Sequence, residues 1–509
     1  YNYGTNSDVD RIKYGYDRNG NRTYRENTVA TANGAKFDEL YQNDLLDRLK
    51  HMDRGQLTAL KDAITDKTFA QCWSLDPTGN WKQFREDDTG DGTWDLEQTR
   101  TANEVNEITD ISATAGPTWV TPAYNRAGNM TTMPKVSDPT VSQTCTYDAW
   151  NRLVKVAEGA TTISEYQYDA AKRRIIQKNY TSGTLSETRH MYYTEPSKWQ
   201  VVEERLGTSP DSASAERQFV WGLRYIDDLI IRDRDTDNNG TLDERLYALQ
   251  DANWNVTAIV NASGSVQERY NYAAYGMPTF LSGSFGSRVG SSFEWETLFC
   301  GYRWETGVQL FHVRNRGYHS QLGVWAQRDP EGYLDSTGLY QYVSGSPLTH
   351  VDPNGTTAAI GCAVGALGSG LGSLISGWSQ YMTGGQSLCA TMTDAICDTL
   401  GGCLAGGLGP FLKFGPKGPL SRCGLIGAVV GAAVSGCKAL GRMFCNYNFG
   451  CNDAMPGWGC LALDMATSAV EAMISCGMEA GGGVEDRVEL LMTLMFGDIE
   501  LVTDLVTGC

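Results

Sequence analysis

Oxygen-bearing residues recur at every second position in one short acidic stretch, residues 235–243. Gly240 lies between the third and fourth of them and permits the sharp turn that a loop around an ion needs. The oxygens at loop positions 1, 3, 5, 7 and 9 belong to Asp235, Asp237, Asn239, the backbone carbonyl of Thr241, and Asp243. Because Ca²⁺ prefers carboxylate, amide and carbonyl oxygens, this spacing predicts one bound calcium ion.

The spacing resembles that of an EF-hand loop, with two departures. Leu246 stands at position 12, where an EF-hand loop has a bidentate glutamate, so Asp233 or Glu244 would have to complete the ligand set. The flanking residues alternate as in strands rather than helices. A poorer copy of the pattern lies at residues 87–95. The alternative interpretation of both stretches is an acidic hairpin tip without an ion.

Cysteine is concentrated in the last part of the chain. Eleven of the 14 cysteines follow residue 356, and only Cys72, Cys145 and Cys300 precede it, whereas 23 of the 25 tyrosines come before residue 356. These opposite shifts predict a domain boundary near residues 353–356. The cysteine density predicts an oxidising compartment and several disulfides. The odd number leaves one thiol free, paired with one of the first three cysteines, or paired with another chain.

The segment 357–509 has its own character. It contains no histidine, which excludes Ser-His-Asp catalysis, Cys-His catalysis and His-ligated zinc there. Small residues recur at four-residue spacing within 361–377 and 427–439, as on one face of a helix, and residues 484–506 have apolar positions at helical spacing. These patterns predict a small α-helical, Gly/Cys-rich domain. Tightly packed soluble helices and membrane contact are both compatible with it.

The chain as a whole is acidic, with 42 Lys and Arg against 60 Asp and Glu and a net charge of −18. A surface that binds nucleic acid must collect positive charge against phosphate, so the composition argues against a nucleic-acid partner. Residues 1–11 are polar and already follow the repeat pattern described next, so they are not expected to be a signal segment. We therefore expect the chain to be a piece of a longer polypeptide.

Short repeated hairpins are the elements that must position these residues. A tyrosine, an Asp- or Asn-rich turn and alternating strand residues follow one another in four clear copies, which begin at Tyr16, Tyr124, Tyr147 and Tyr168. Degenerate copies lie at 41–49 and 269–276. Tandem units that cannot bury a face alone are expected to stack into a continuous sheet.

These repeats resemble the YD (RHS) repeat family over roughly residues 1–355. The end of this region resembles the RHS-repeat-associated core, on the motifs Arg314-Asn315-Arg316-Gly317-Tyr318, Arg328-Asp329-Pro330 and Asp352-Pro353-Asn354-Gly355. The resemblance implies a mainly β fold, in which a YD-repeat spiral β-shell at residues 1–280 is closed by the RHS core at 281–356. The small α-helical Gly/Cys-rich domain at 357–509 would then be the variable C-terminal domain.

In some members of that family the core is an aspartic-type self-protease that cuts just after the closing Asp-Pro-x-Gly stretch. By position, Asp329 matches the family's catalytic aspartate and Arg316 its supporting arginine. Such a reaction needs one carboxylate to take a proton from water and a second acid to protonate the departing amide, for which Asp335 and Asp352 are the candidates. The family prefers Leu or Met where Thr356 stands. The alternative interpretation is that both Asp-Pro pairs only initiate turns.

Two functions fit this organisation. The leading hypothesis is an extracellular or surface-exposed RHS-family structural or interaction protein, whose β-shell scaffolds a variable, disulfide-bearing C-terminal domain. Its partners would be other proteins or cell-surface components, and an oligomer or an intermolecular disulfide is also open. The alternative is a polymorphic toxin whose C-terminal domain, acting at a membrane in one version, is released by self-cleavage at the core.

Overall fold

Alternating strand residues separated by Asx and glycine turns fold into antiparallel hairpins throughout the repeat region. A computed structural model describes residues 8–194, 199–208, 214–333 and 336–356, all within one structural unit of the chain. Eight strands form the first sheet in chain order, and the helix α1 (Thr28–Ala32) lies between the second and third of them. The strands are β1 (Ile12–Tyr16), β2 (Arg22–Asn27), β3 (Asp38–Asn43), β4 (Leu49–Leu57), β5 (Ile64–Leu75), β6 (Trp81–Asp87), β7 (Leu96–Ala102) and β8 (Ile108–Ala115).

Fifteen strands form the second sheet, again with each strand paired to its neighbour in sequence. They are β9 (Ala123–Tyr124), β10 (Met130–Lys135), β11 (Asp138–Tyr147), β12 (Leu153–Glu158), β13 (Thr161–Tyr168), β14 (Arg174–Thr181), β15 (Thr184–Tyr193), β16 (Val201–Leu206), β17 (Arg217–Trp221), β18 (Leu229–Arg234), β19 (Glu244–Gln250), β20 (Val256–Asn261), β21 (Val266–Tyr272), β22 (Pro278–Ser282) and β23 (Ser287–Arg288).

A third, four-stranded sheet belongs to the segment predicted as the core. Its strands are β24 (Arg303–Glu305), β25 (Leu310–Val313), β26 (Arg316–His319) and β27 (Val324–Trp325). Short 3₁₀ turns lie at Phe299–Gly301 and Val343–Gly345. Asn129 and Gln327 form a β-bridge between the second sheet and this segment. The Tyr318 hydroxyl donates to the Tyr275 carbonyl at 2.8 Å, so the third sheet is joined to the large sheets by side chains as well.

One turn geometry recurs between the repeat strands. At Asp148, Oδ1 accepts the N–H groups of Trp150 and Arg152 at 2.9 and 3.0 Å, and Asn151 takes a φ of +63°. Asparagine tolerates this left-handed conformation better than most residues do, which explains the Asp/Asn-rich turns. The same pair of bonds forms at Asp17, Asp44, Asp76, Asn103, Asn125, Asp251 and Asn261.

The tyrosine that precedes the turn has a separate task. The Tyr168 hydroxyl donates to the Leu153 carbonyl at 2.7 Å, and Leu153 is the first residue of the strand in the preceding repeat. Each such bond ties one repeat to the one before it, while the ring contributes buried apolar surface. Equivalent bonds join Tyr147 to Met130, Tyr193 to Arg174 and Tyr272 to Val256.

The start of the first sheet lies against the end of the second. The Arg22 guanidinium donates to Asn253 Oδ1 at 2.7 Å, and Arg54 donates to the Tyr272 carbonyl at 2.6 Å. Buried aromatic side chains from both large sheets and from the third sheet form one hydrophobic cluster, which includes Trp81 and Tyr318. The core segment therefore packs against buried side chains of both large sheets.

The prediction of a mainly β fold built from antiparallel repeats is confirmed at this level. The helical domain predicted at 357–509, with its disulfides and its membrane contact, lies outside the described residues. In the part of the chain that is described, no helix is long and apolar enough to cross a membrane. The domain boundaries predicted after residues 280 and 356 stay predictions, as does the closure of a hollow shell.

Candidate site at the closing segment

The candidate site lies where the third sheet meets residues 352–356, which we call the closing segment. Arg316 begins β26 and is paired with Val313 at the end of β25. Asp329 follows β27, and its backbone N–H donates to the Leu339 carbonyl at 3.0 Å. The backbone N–H of Asn315, in the turn between β25 and β26, donates to a carbonyl of the closing segment at 3.3 Å. The sheet thus places one arginine and one aspartate beside that segment.

Arg316 joins the two aspartates of the predicted site. Its Nη2 atom lies 2.8 Å from Asp329 Oδ2 and 3.1 Å from Asp352 Oδ2, and its Nε donates to the Gly355 carbonyl at 2.5 Å. The guanidinium also lies over the ring of Trp325, 4.3 Å from its centroid. Because the Arg316 side chain is only 2% exposed, its charge has to be compensated inside the protein. The two carboxylates supply that compensation.

The peptide bond between Gly355 and Thr356 is held at both of its polar atoms. The Thr356 N–H donates to Asp352 Oδ1 at 3.1 Å, while the Gly355 carbonyl accepts from Arg316. Gly355 has a φ of +65°, and a Cβ atom there would lie 2.7 Å from the Val313 carbonyl oxygen. Both the backbone conformation and the close approach therefore require glycine at this position.

Three more core residues hold the backbone that leads to this bond. The Tyr302 hydroxyl accepts from the Asp352 N–H and donates to the Asp352 carbonyl, each at 2.9 Å. Arg314 donates to the Pro353 carbonyl. The side-chain amide of Asn315 donates to the Asn354 carbonyl at 3.0 Å, and the backbone N–H of Asn315 donates to the same carbonyl. The four carbonyls of residues 352–355 thus each accept a hydrogen bond from the core.

Both Asp-Pro pairs also start turns. Asp329 Oδ1 accepts the Glu331 N–H at 2.8 Å, and its carbonyl accepts the Gly332 N–H at 3.0 Å. The Asp352 carbonyl accepts the Gly355 N–H at 3.3 Å. In each aspartate, Oδ1 accepts a backbone N–H group and Oδ2 contacts Arg316. These aspartates can therefore start turns and also take part in a reaction.

Asp329 borders a cavity of about 190 Å³. The cavity wall combines Asp329 and Arg316 of the core with Trp150, Tyr168 and Arg174 of the repeat region. Several water molecules fit into such a space, and its charged lining offers them hydrogen-bonding partners. A water molecule therefore has room beside the Asp329 carboxylate.

The structure brings together three of the four predicted site residues, Arg316, Asp329 and Asp352. Asp335, one candidate for the second acid, lies outside the described residues. The sequence prediction gave no role to Tyr302, Arg314 or Asp227, which binds Arg314, although Arg314 lies in the motif of residues 314–318. Neither that motif nor the polar run of residues 314–316 after an apolar strand reveals which carbonyls these side chains reach.

The acidic loop of residues 235–243 joins β18 to β19. Asp235 accepts the N–H groups of Asn239 and Gly240 at 3.1 and 2.7 Å, and Asp243 accepts the N–H and the hydroxyl of Thr236 at 2.9 and 2.8 Å. Asp237 Oδ1 also accepts from Asn239 N–H at 3.2 Å. The oxygens therefore face the N–H groups of their own loop.

Residues 87–95 form a similar loop between β6 and β7, in which Asp87 accepts the N–H groups of Gly90 and Gly92 at 2.6 and 2.9 Å. Within the described ranges, no three His, Cys, Asp or Glu side chains are grouped as metal ligands. In the 235–243 loop, Thr241 donates its N–H to Asn239 Oδ1 at 2.8 Å. Calcium binding by that loop stays a prediction.

The three cysteines before residue 356 are free thiols. Burial raises the pKa of the Cys145 thiol to about 12 and raises that of Cys300 as well. A thiol that stays protonated reacts slowly in disulfide exchange. Of these three, only Cys72 is partly exposed.

Comparison with known proteins gives distant relatives. No protein-family model matches the chain. The chain is 24% identical over 264 residues to the tRNA3(Ser)-specific nuclease WapA of Bacillus spizizenii, which covers 50% of this chain and 9% of that protein. It is 24% identical over 259 residues to the tRNA(Glu)-specific nuclease WapA of Bacillus subtilis subsp. natto, a match that again covers 50% of this chain and 9% of that protein. The chain therefore spans about a tenth of the length of these relatives.

Solved structures show the same kind of fold. The crystal structure of TcdB2-TccC3-Cdc42 matches with a TM-score of 0.50 at 17% identity, over 68% of this chain and 17% of that one. The Tc holotoxin pore of Photorhabdus luminescens matches with a TM-score of 0.50 at 16% identity, over 69% and 17%. At this identity the likeness shows the fold alone. The relatives and the structures together fit an RHS-like protein with a mainly β fold.

Proposed function

We propose that the chain is the RHS-like part of a polymorphic toxin, in which the core cuts the Gly355–Thr356 peptide bond and frees the segment that follows. The nuclease relatives and the Tc toxin structures favour a toxin over a purely structural scaffold. The carrying observation is the Arg316 cluster, in which Arg316 and Asp352 contact one peptide bond and Asp329 contacts Arg316. Such a toxin acts on other proteins or cell surfaces from outside the producing cell.

The reaction begins with a water molecule in the cavity beside Asp329. Asp329 takes a proton from this water molecule while the oxygen of the water attacks the carbonyl carbon of Gly355. Negative charge then develops on the carbonyl oxygen, to which Arg316 Nε already donates. A charged donor that is in place before the reaction stabilises this charge without reorganising.

Asp352 completes the reaction at the departing nitrogen. Its Oδ1 lies 3.1 Å from the Thr356 nitrogen, so a protonated Asp352 can give its proton to that atom as the C–N bond breaks. The products are a new carboxyl group on Gly355 and a new amino group on Thr356. Two carboxylates that share one site tend to hold a single proton between them, which suits this division of roles. Each chain is cut once, so the starting protonation states need not be restored.

Mass spectrometry of the purified chain over time tests the proposal. We expect two fragments that meet at Gly355–Thr356 in the unmodified chain. Because general acid–base groups contribute roughly a hundredfold or more, Asp329→Asn and Asp352→Asn should each leave the chain whole on that timescale. Arg316→Ala should slow the cut through lost charge stabilisation, and Thr356→Leu should speed it by restoring the residue that the RHS family prefers.

Glu203→Gln is the matched control, because Glu203 of β16 is also paired with an arginine, Arg205 at 2.5 Å, and neither residue contacts the closing segment. Its rate should equal that of the unmodified chain. Equal cutting of the unmodified chain and the Asp329→Asn variant would show that the aspartic mechanism is wrong. If no version is cut, Thr356→Leu included, the core is a structural element and the scaffold hypothesis takes its place.

A further inference from the structure

Asp227 is a buried carboxylate of the repeat region that reaches the core. It lies in the turn between β17 and β18 and is 7% exposed. Its Oδ1 lies 2.6 Å from Arg314 Nη2, and its Oδ2 lies 3.0 Å from Arg314 Nη1. A carboxylate that binds a guanidinium through two parallel bonds fixes the plane of that guanidinium. Asp227 therefore sets the orientation of Arg314.

Arg314, oriented in this way, contacts the closing segment. The Nη1 atom that contacts Asp227 also donates to the Pro353 carbonyl. Proline has no N–H group, so its carbonyl is the only backbone atom through which hydrogen bonds can hold it. A continuous set of contacts thus runs from the second sheet through Arg314 to a residue two positions before Gly355.

The turn that contains Asp227 packs closely against the core and against β19. A Cβ atom on Gly301, a core residue with a φ of +75°, would lie 2.6 Å from Asp227 Cβ and from its carbonyl oxygen. The side-chain amide of Gln250 in β19 donates to the same carbonyl at 3.3 Å. Burial raises the pKa of Asp227, and the neighbouring Arg314 opposes that shift. Removing either partner would leave a buried charge unpaired, which is costly.

We propose that Asp227 is a positioning residue that makes self-cleavage depend on docking of the repeat strands onto the core. Before the β17–β18 turn is seated, Arg314 lacks the carboxylate that orients it, and the closing segment is not held with Gly355 against Arg316. The chain is then cut only after the second sheet has folded onto the core. The consequence for cleavage rests on the proposed function, whereas the holding of the closing segment does not.

Amide hydrogen exchange measures the holding directly. The Asp329→Asn variant serves as the background, because it keeps the chain whole. When Asp227→Asn or Arg314→Ala is added to this background, the amide hydrogens of residues 352–356 should exchange at least about tenfold faster, because each substitution removes a charge-assisted hydrogen bond. The Glu203→Gln control should exchange as the background does. If Arg314→Ala fails to fold, Arg314→Lys is used instead. The single ammonium group of a lysine cannot bind both oxygens of Asp227 and the Pro353 carbonyl at the same time, so exchange should again be faster.

The rate of cutting is measured in chains that retain Asp329. Asp227→Asn and Arg314→Ala should each cut at least about tenfold more slowly. Added methylguanidinium should partly restore cutting in Arg314→Ala and not in Asp227→Asn, an effect that a general loss of stability would not produce.

Unchanged exchange in both variants would overturn the inference, whatever the cutting rates are. Faster exchange with an unchanged cutting rate would overturn the dependence of cleavage on Asp227. Faster exchange in a protein that is never cut, even unmodified, would support the positioning role and contradict the proposed function instead.

Discussion

Several aspartates of this protein bind backbone N–H groups of their own turns. Asp148, Asp235 and Asp352 each accept at least one such bond, because a carboxylate that accepts from N–H groups makes a charge-assisted contact. Asp352 differs in that its second oxygen contacts Arg316, which is 36 residues away in sequence, whereas the second oxygen of Asp148 contacts Arg152 of its own turn. The same residue type therefore forms an ordinary turn in one place and part of a candidate catalytic site in another.

Calcium binding is tested at this scale. To take an ion, Asp235, Asp237 and Asp243 would exchange bonds to N–H groups for metal contacts, so we expect weak binding, with a dissociation constant of about 10⁻⁴ to 10⁻³ M. Calorimetric titration of the metal-stripped protein should show heat that Asp237→Asn greatly reduces. Asp91→Asn, in the poorer loop, is the control and should leave the heat unchanged. The prediction fails if neither heat nor a shift in melting temperature accompanies millimolar calcium.

At the scale of the element, the repeat works as a hairpin with a tie to its predecessor. The turn is closed by an Asp or Asn side chain, and the tyrosine before it reaches back to the preceding repeat. Neither group could do the task of the other, because the short carboxylate reaches only its own turn and the long phenol spans a neighbouring strand. This division explains why tyrosine and aspartate occur together in the repeats.

Tyr168→Phe removes one tie and keeps the ring. The Leu153 carbonyl then loses its side-chain donor in a partly buried place, so the free energy of unfolding should fall by about 1 kcal/mol. Denaturant titration followed by tryptophan fluorescence measures the change. Tyr180→Phe is the control, because the Tyr180 hydroxyl bonds the side chain of Glu165 near the surface rather than a strand carbonyl. Equal losses in the two variants would contradict the role of the tie.

At the scale of the whole molecule, the third sheet carries two histidines, His312 in β25 and His319 in β26, of which His319 is fully buried. His319 Nε2 contacts the Pro134 carbonyl at 2.9 Å, and the Leu322 N–H donates to His319 Nδ1 at 3.2 Å, so the ring is neutral with its proton on Nε2. Burial lowers the pKa of His319 to about 4 and that of His312 well below its ordinary value. Packing the core against the repeats thus depends on uncharged imidazoles.

This packing predicts sensitivity to acid. The pKa of His319 is about 4 in the folded protein and about 6.5 in the unfolded chain, so the unfolded chain binds the extra proton between these values. The stabilisation is fully present above pH 6.5 and is lost as the pH falls towards 4, by up to about 3 kcal/mol. Denaturant titrations at about pH 7 and about pH 4.5 should show a smaller acid loss for His319→Gln than for the unmodified protein.

His350→Gln is the control for this measurement, because His350 is only partly buried and contacts the neighbouring Thr349 hydroxyl. It should lose as much stability on acidification as the unmodified protein does. An equal acid loss in His319→Gln and His350→Gln would show that His319 does not carry the effect.

The sequence by itself determined the features that depend on near neighbours. The hairpin turns follow from groups a few positions apart, as with Asp148 and Asn151, and the strands follow from alternation between turns. The change in cysteine and tyrosine content near residue 356 and the matches of Asp329 and Arg316 to a family motif were also visible without a structure. Local hydrogen bonds and composition are readable in this way because they involve short stretches of chain.

The tertiary structure alone decided which distant groups meet. Arg316 contacts Asp352 across 36 residues of sequence and Arg314 contacts Asp227 across 87. The sequence left Asp335 and Asp352 as equal candidates for the second acid, and the fold placed Asp352 beside Arg316. Buried ions must find partners wherever the packed strands bring them, and that arrangement depends on the stacking of all the repeats together. The choice of partners is therefore a property of the whole fold and not of any one motif.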